Sequence, residues 1–127
     1  GYHICIYDFD YWKPTARGKE WDETRRSCGA TVDLAGRIEL PAMRPRPDLA
    51  STEYCLANPG VEYVVLQPEA GDVTVRDLER GRTYDVAWRA LTSTAAKLPE
   101  RWTATDNVGV FHPPSARVVL HLKRQAD

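Results

Sequence analysis

Residues 51–67 read STEYCLANPGVEYVVLQ. Two short runs with a period of two flank Asn58-Pro59-Gly60, three residue types that favour tight turns. Tyr54 and Leu56 fall on one face of the first run. In the second, Glu62, Val64 and Leu66 oppose Val61, Tyr63 and Val65, so both faces are expected to be partly covered. The stretch therefore reads as a hairpin. Upstream of it the chain is helical or irregular; downstream it continues as short strands.

Turn signals punctuate the downstream half. Gly71 lies in one turn and Arg80-Gly81-Arg82 forms the next. Val73 and Val75 alternate with Thr74 and Arg76. Tyr84, Val86 and Trp88 alternate with Asp85, Ala87 and Arg89, the clearest half-buried strand in the chain. Leu91 to Lys97 reads as loop. Short strands are expected around Trp102-Thr103 and over Val108 to Phe111, and Val118, Leu120 and Leu122 face one way in the last strand. Several short strands at this spacing describe an antiparallel β-sandwich.

The upstream half differs. Gly1 to Tyr11, GYHICIYDFDY, is apolar on both sides through Tyr7, as in a strand of a parallel α/β sheet or barrel. Trp12 to Lys19 reads as loop. A helix is expected from about Trp21 or Asp22 to Arg37 or Ile38, with Asp22 as N-cap and an apolar stripe of Cys28, Val32, Ala35 and Ile38. That stripe should pack on the sandwich or on a barrel, and Gly29 and Gly36 would fit a close approach to a neighbour. Pro41, Pro45 and Pro47 then exclude a regular helix or central strand. The expected division is a strand, loop and helix over 1–40, a proline-rich linker over 41–47 and a sandwich over 48–127.

Composition narrows the function classes. The 127 residues carry a net charge of −1 with both signs interspersed, so no basic stripe supports nucleic-acid binding. No apolar run approaches the roughly 18 residues of a membrane helix. Cys5, Cys28 and Cys55 are widely spaced without a C-x-x-C pair, which argues against zinc. They read as three buried thiols, or as one disulfide with a thiol left over, and leave the compartment open. His3, His112 and His121 show no ligand spacing and read as surface or core histidines. No metal or cofactor is expected. The chain opens at Gly1 directly on its apolar run, so it is expected to be a piece of a longer protein.

Four residues stand out for binding. Asp8 and Asp10 fall at the C-terminal end of the first predicted strand, the face that carries the active site in α/β barrels. Two carboxylates there can serve a sugar as acid and base or bind its hydroxyls; a solvated strand end is the plainer alternative. Trp12 and Trp102 lie in loop-like or short elements, where an aromatic ring can be displayed to a sugar. Trp88 and Tyr84 are expected in the core.

Several of these pieces occur together in one family. DLASTEYCLANPGVEYVVLQP, a glycine-containing turn, TYDVAWRALT and FHPPSARVVLHL resemble the C-terminal domain of apiosidase-like glycoside hydrolases. These have a (β/α)8 barrel followed by a β-sandwich labelled a collagen-binding domain. GYHICIYDFDYW resembles the end of the barrel's last strand, and WDETRRSCGATVDLAGRIELPAMRPRPDL resembles its closing helix and linker. The segment after V-x-W departs from the family, reading Arg89-Ala90-Leu91-Thr92 where an Asp/Asn-Pro turn and a glycine are usual. The resemblance implies a non-catalytic accessory domain that braces the barrel of the same parent chain and shapes its substrate cleft. The family's catalytic carboxylates lie on earlier barrel strands. An independent polysaccharide- or collagen-binding module is the alternative.

Overall fold

The computed structural model describes residues 19, 22–91 and 99–126. The expected strand over 1–11, most of the loop at 12–19 and all but the first residue of the loop at 91–97 lie outside them, as do Asp8, Asp10 and Trp12.

Among the described residues, one α-helix, α1 (Asp22–Ala35), precedes eight strands: β1 (Arg44–Pro45), β2 (Cys55–Asn58), β3 (Glu62–Gln67), β4 (Val73–Arg76), β5 (Thr83–Ala90), β6 (Glu100–Thr103), β7 (Val108–Phe111) and β8 (Val118–Arg124). The strands form a six-stranded sheet in the order β1-β2-β3-β8-β5-β6 and a two-stranded sheet of β4 and β7, with every pairing antiparallel. The mainly-β, two-sheet architecture expected from the sequence is present. The chain passes between sheets at β3–β4, β4–β5, β6–β7 and β7–β8, so facing side chains from both sheets share one core.

Alternation along the strands builds that core. Tyr63, Val65, Tyr84, Leu120 and Leu122 of the large sheet meet Val73, Val75 and Phe111 of the small one, all buried. Two tyrosine hydroxyls inside it hold the hairpin turn. The Tyr63 hydroxyl accepts from the Gly60 amide and donates to the Asp77 carbonyl; the Tyr84 hydroxyl accepts from the Glu79 amide and donates to the Gly60 carbonyl. Gly60 sits at φ +75, where a side chain is strained, so glycine suits the turn residue that both hydroxyls grip. Desolvation raises the pKa of both phenols, so they stay protonated as donors.

The linker is more structured than the prolines imply. Leu40–Ala42 and Pro47–Leu49 are single 3-10 turns, and Arg44–Pro45 pairs with β2 as an edge strand. Met43, Leu49 and Ala50 are buried. Sheet pairing thus begins inside the expected linker, at its edge-strand position, where a proline is tolerated.

The helix departs from expectation in its orientation. Its extent matches, but none of its residues is buried, and Cys28, Val32 and Ala35 are exposed, Val32 by 73%. The side facing the sheet carries Ala30, Thr31 and Leu34 instead, and Asp33 accepts from Arg89 on β5. The expected apolar stripe therefore does not pack on the sandwich. Nor does Gly29 serve close packing, since nothing lies within 4 Å of where its Cβ would stand. Cys28 is a free exposed thiol rather than a buried one. Cys55 is free and buried, and desolvation pushes its thiol pKa up to about 11. Asp22 lies in the first turn, where its carboxylate accepts from Arg25.

Candidate functional site

Of the four polar or charged side chains buried among the described residues, three lie on the outer face of the six-stranded sheet, the side turned away from the small sheet; the fourth, Gln67, is in phase with Tyr63 and Val65 on the inner face and donates to the Gly71 carbonyl. Glu62 (β3), His121 (β8) and Arg89 (β5) come from adjacent strands and are all under 10% exposed. Strand alternation puts them there: Tyr63, Leu120, Leu122 and Val86 point into the core, so their neighbours point out.

Glu62 is the centre of the group. Its Oε1 accepts from His121 Nε2 at 2.8 Å and lies 3.4 Å from Lys123 Nζ, and its Oε2 accepts from the Glu39 amide at 2.9 Å. Burial opposes its charge, but the Glu39 amide, His121 and Lys123 together hold the carboxyl below its ordinary pKa. An ionised carboxylate only accepts, so His121 Nε2 carries the proton. Burial, reinforced by the charges of Arg89 and Lys123, holds the imidazole pKa below its usual value despite Glu62. The pair is thus carboxylate and neutral imidazole, not two charges.

A second cluster adjoins it. Asp33 on α1 accepts two bonds from Arg37, at 2.8 and 3.0 Å, and a longer one of 3.2 Å from Arg89 Nη1. The Arg37 hydrogen bonds hold the Asp33 carboxyl below its ordinary range. Two guanidiniums share one carboxylate, and Arg89 Nε has no hydrogen-bond partner. Beside it, Ala30, Thr31, Leu34, Leu91 and Val119 line a cavity of about 40 Å³.

Together these groups anchor the approach to the sandwich. Glu62 seats the backbone at Glu39, and Arg89 seats the helix. With Glu62 at 1% and His121 at 8% exposure, the pair is closed to a substrate in this arrangement. Among the described residues, no group of three His, Cys, Asp or Glu is placed to hold a metal, and no helix is long and apolar enough to cross a membrane.

Of the four residues singled out for binding, Trp102 alone is described. Its ring is partly buried against the core, 5.0 Å from Phe111 and 6.3 Å from Tyr84 between centroids. A Cβ on Gly109 would stand 2.9 Å from the indole, so the strand opposite must be glycine for the ring to lie inward. Trp88 also packs on the core, as expected. His112 is a surface histidine bonded to Asp72 at 2.7 Å.

Sequence reasoning passed over Glu62, Arg89 and Asp33 as partners and placed His121 only as a surface or core residue. One signal was available: Glu62 and His121 are each a polar residue inside an otherwise apolar strand run. No family model matches the chain, and no curated protein matches it.

Proposed function

We propose that the chain is a non-catalytic C-terminal accessory domain of a glycoside-hydrolase-like protein. Its work is to brace the catalytic barrel that precedes it in the same parent chain and to shape an edge of the substrate cleft. On this reading α1 is the closing helix of that barrel, and the exposed stripe of Cys28 and Val32 faces barrel residues.

The observation that carries the reading is the stitched connection into the sandwich. A free binding module hangs on a flexible tether. Here residues 39–50 are held by the Glu39 amide on Glu62, by buried Met43, by β1 pairing with β2 and by Leu49 and Ala50 in the core. Such a connection transmits orientation, which a brace requires. The aromatics support the same reading. Tyr63, Tyr84, Trp88, Trp102 and Phe111 all pack in or against the core, and Tyr54, 59% exposed, is the one described aromatic that stands out to solvent. Sugar-binding surfaces need several rings displayed on one face.

Deletion of residues 48–127 from the longer polypeptide is expected to lower the melting temperature of the remaining part by several degrees. Affinity electrophoresis of the 127-residue chain in plant and bacterial polysaccharide gels is expected to show no retardation. Unchanged melting after the deletion removes the brace, and retardation in a gel replaces it with the binding module.

A further inference from the structure

We infer that α1 is a releasable strap, docked beside Arg89 on the β5–β8 side of the outer sheet face and able to leave it while the sandwich stays folded. The release concerns the 127-residue chain by itself; in the parent protein proposed above, α1 would be held by the barrel as well.

Three observations converge on it. First, α1 buries none of its 14 residues, so the hydrophobic term that fastens most helices to a sheet is nearly absent. Second, what fastens it is poorly matched. A partly open cleft of about 40 Å³ separates Ala30, Thr31 and Leu34 from Leu91 and Val119, and the one described hydrogen bond from the sheet to the helix is the 3.2 Å contact of Arg89 with Asp33. Asp33 gives its shorter bonds to Arg37 on its own side of the interface. Third, Arg89 Nε is buried without a partner in the docked arrangement, a cost that undocking relieves by admitting water.

The boundary of the strap is sharp. Beyond Ile38 the chain is held by the bond from the Glu39 amide to Glu62 and then by β1. Glu39 is therefore the hinge point, and 22–38 is the part that lifts. Lifting uncovers Arg89, whose only described side-chain partner is Asp33, next to the Glu62–His121 pair. A 14-residue helix without tertiary support is marginal in water, so release is accompanied by fraying of α1.

Hydrogen–deuterium exchange of the full 127-residue chain tests this. Amides of 22–35 are expected to exchange at least about a hundredfold faster than those of β3, β5 and β8. Ala30→Met, which fills the cavity, should slow exchange in α1 about fivefold. Asp33→Asn should speed it about threefold. Neither should change exchange in β8. Protection of α1 within tenfold of β8 overturns the strap, because helix and sandwich would then open as one unit. Parallel responses in α1 and β8 overturn it for the same reason. Fast exchange in α1 that neither substitution alters overturns it too, because the helix would not be held by this docking at all.

Discussion

The two faces of the six-stranded sheet are built by opposite means. Gln67 apart, the inner face is apolar and closed: Tyr63, Val65, Tyr84, Leu120 and Leu122 are at 0% exposure against the small sheet, and the two phenols find partners for both roles of their hydroxyls. The outer face holds Glu62, His121 and Arg89, and meets at Arg89 a helix none of whose residues is fully buried, with one guanidinium nitrogen left unpaired. Burial alone does not tell the faces apart. What differs is whether burial comes from interdigitated apolar volume or from a few directional bonds. The first resists local change as a whole; the second can be taken apart bond by bond.

That contrast can be broken most directly at its apolar end. Leu120→Ala should destabilise the chain by about 3 kcal/mol, read from the urea midpoint, since the residue is fully buried between the sheets. A loss under about 1 kcal/mol would mean that the inner face is loosely packed. On the outer face, Glu62→Leu strands the Glu39 amide and His121 and should cost about 2 kcal/mol. An unchanged midpoint there would show the network to be idle. Tyr63→Phe leaves the Gly60 amide and the Asp77 carbonyl without the hydroxyl and should cost about 1.5 kcal/mol with the fold retained.

Acid sharpens the comparison because only the outer face titrates. His121 has a pKa below its ordinary 6.5, so the unfolded chain takes up a proton before the folded one does. Its contribution to stability is present above that value and declines as pH falls toward the lowered one. Glu62, held below 4.5, likewise contributes above that value and loses its contribution as pH falls through its own lowered pKa. Both steps run in one direction, toward instability in acid. His121→Gln should flatten the upper step, measured as the urea midpoint between about pH 7 and 5. Identical profiles for the two chains would sink the assignment. The smallest effect belongs to Val32→Asp, expected within about 0.5 kcal/mol because the side chain is 73% exposed.

The inner face was legible in the sequence because it is written locally. The alternation of Tyr84, Val86 and Trp88, and of Leu120 with Leu122, needs no knowledge of the partner strand. The turn at Asn58-Pro59-Gly60 is equally local. The outer face was not legible because its bonds join distant residues: Glu62 meets His121 across 59 positions, and Asp33 meets Arg89 across 56. The helix was read by its apolar stripe, yet the side toward the sheet carries Ala30, Thr31 and Leu34 beside the Asp33–Arg89 pair. Trp102 was read from its short strand as open to solvent. Its inward packing depends on Gly109, a residue on the other sheet.

Pro45 has a consequence beyond linking two parts of the chain. It occupies β1, the outermost strand at one end of the six-stranded sheet, where it pairs with Leu56. A sheet end normally offers a row of amide donors on which a strand from another molecule can crystallise. β1 is only two residues long, and one of them has no amide hydrogen to give, so this border offers an added strand little to pair with. At the opposite border β6 begins with Glu100 and Arg101, both exposed and charged. Both margins of this sheet are thus blunted against an added strand, by a proline at one side and a charged pair at the other.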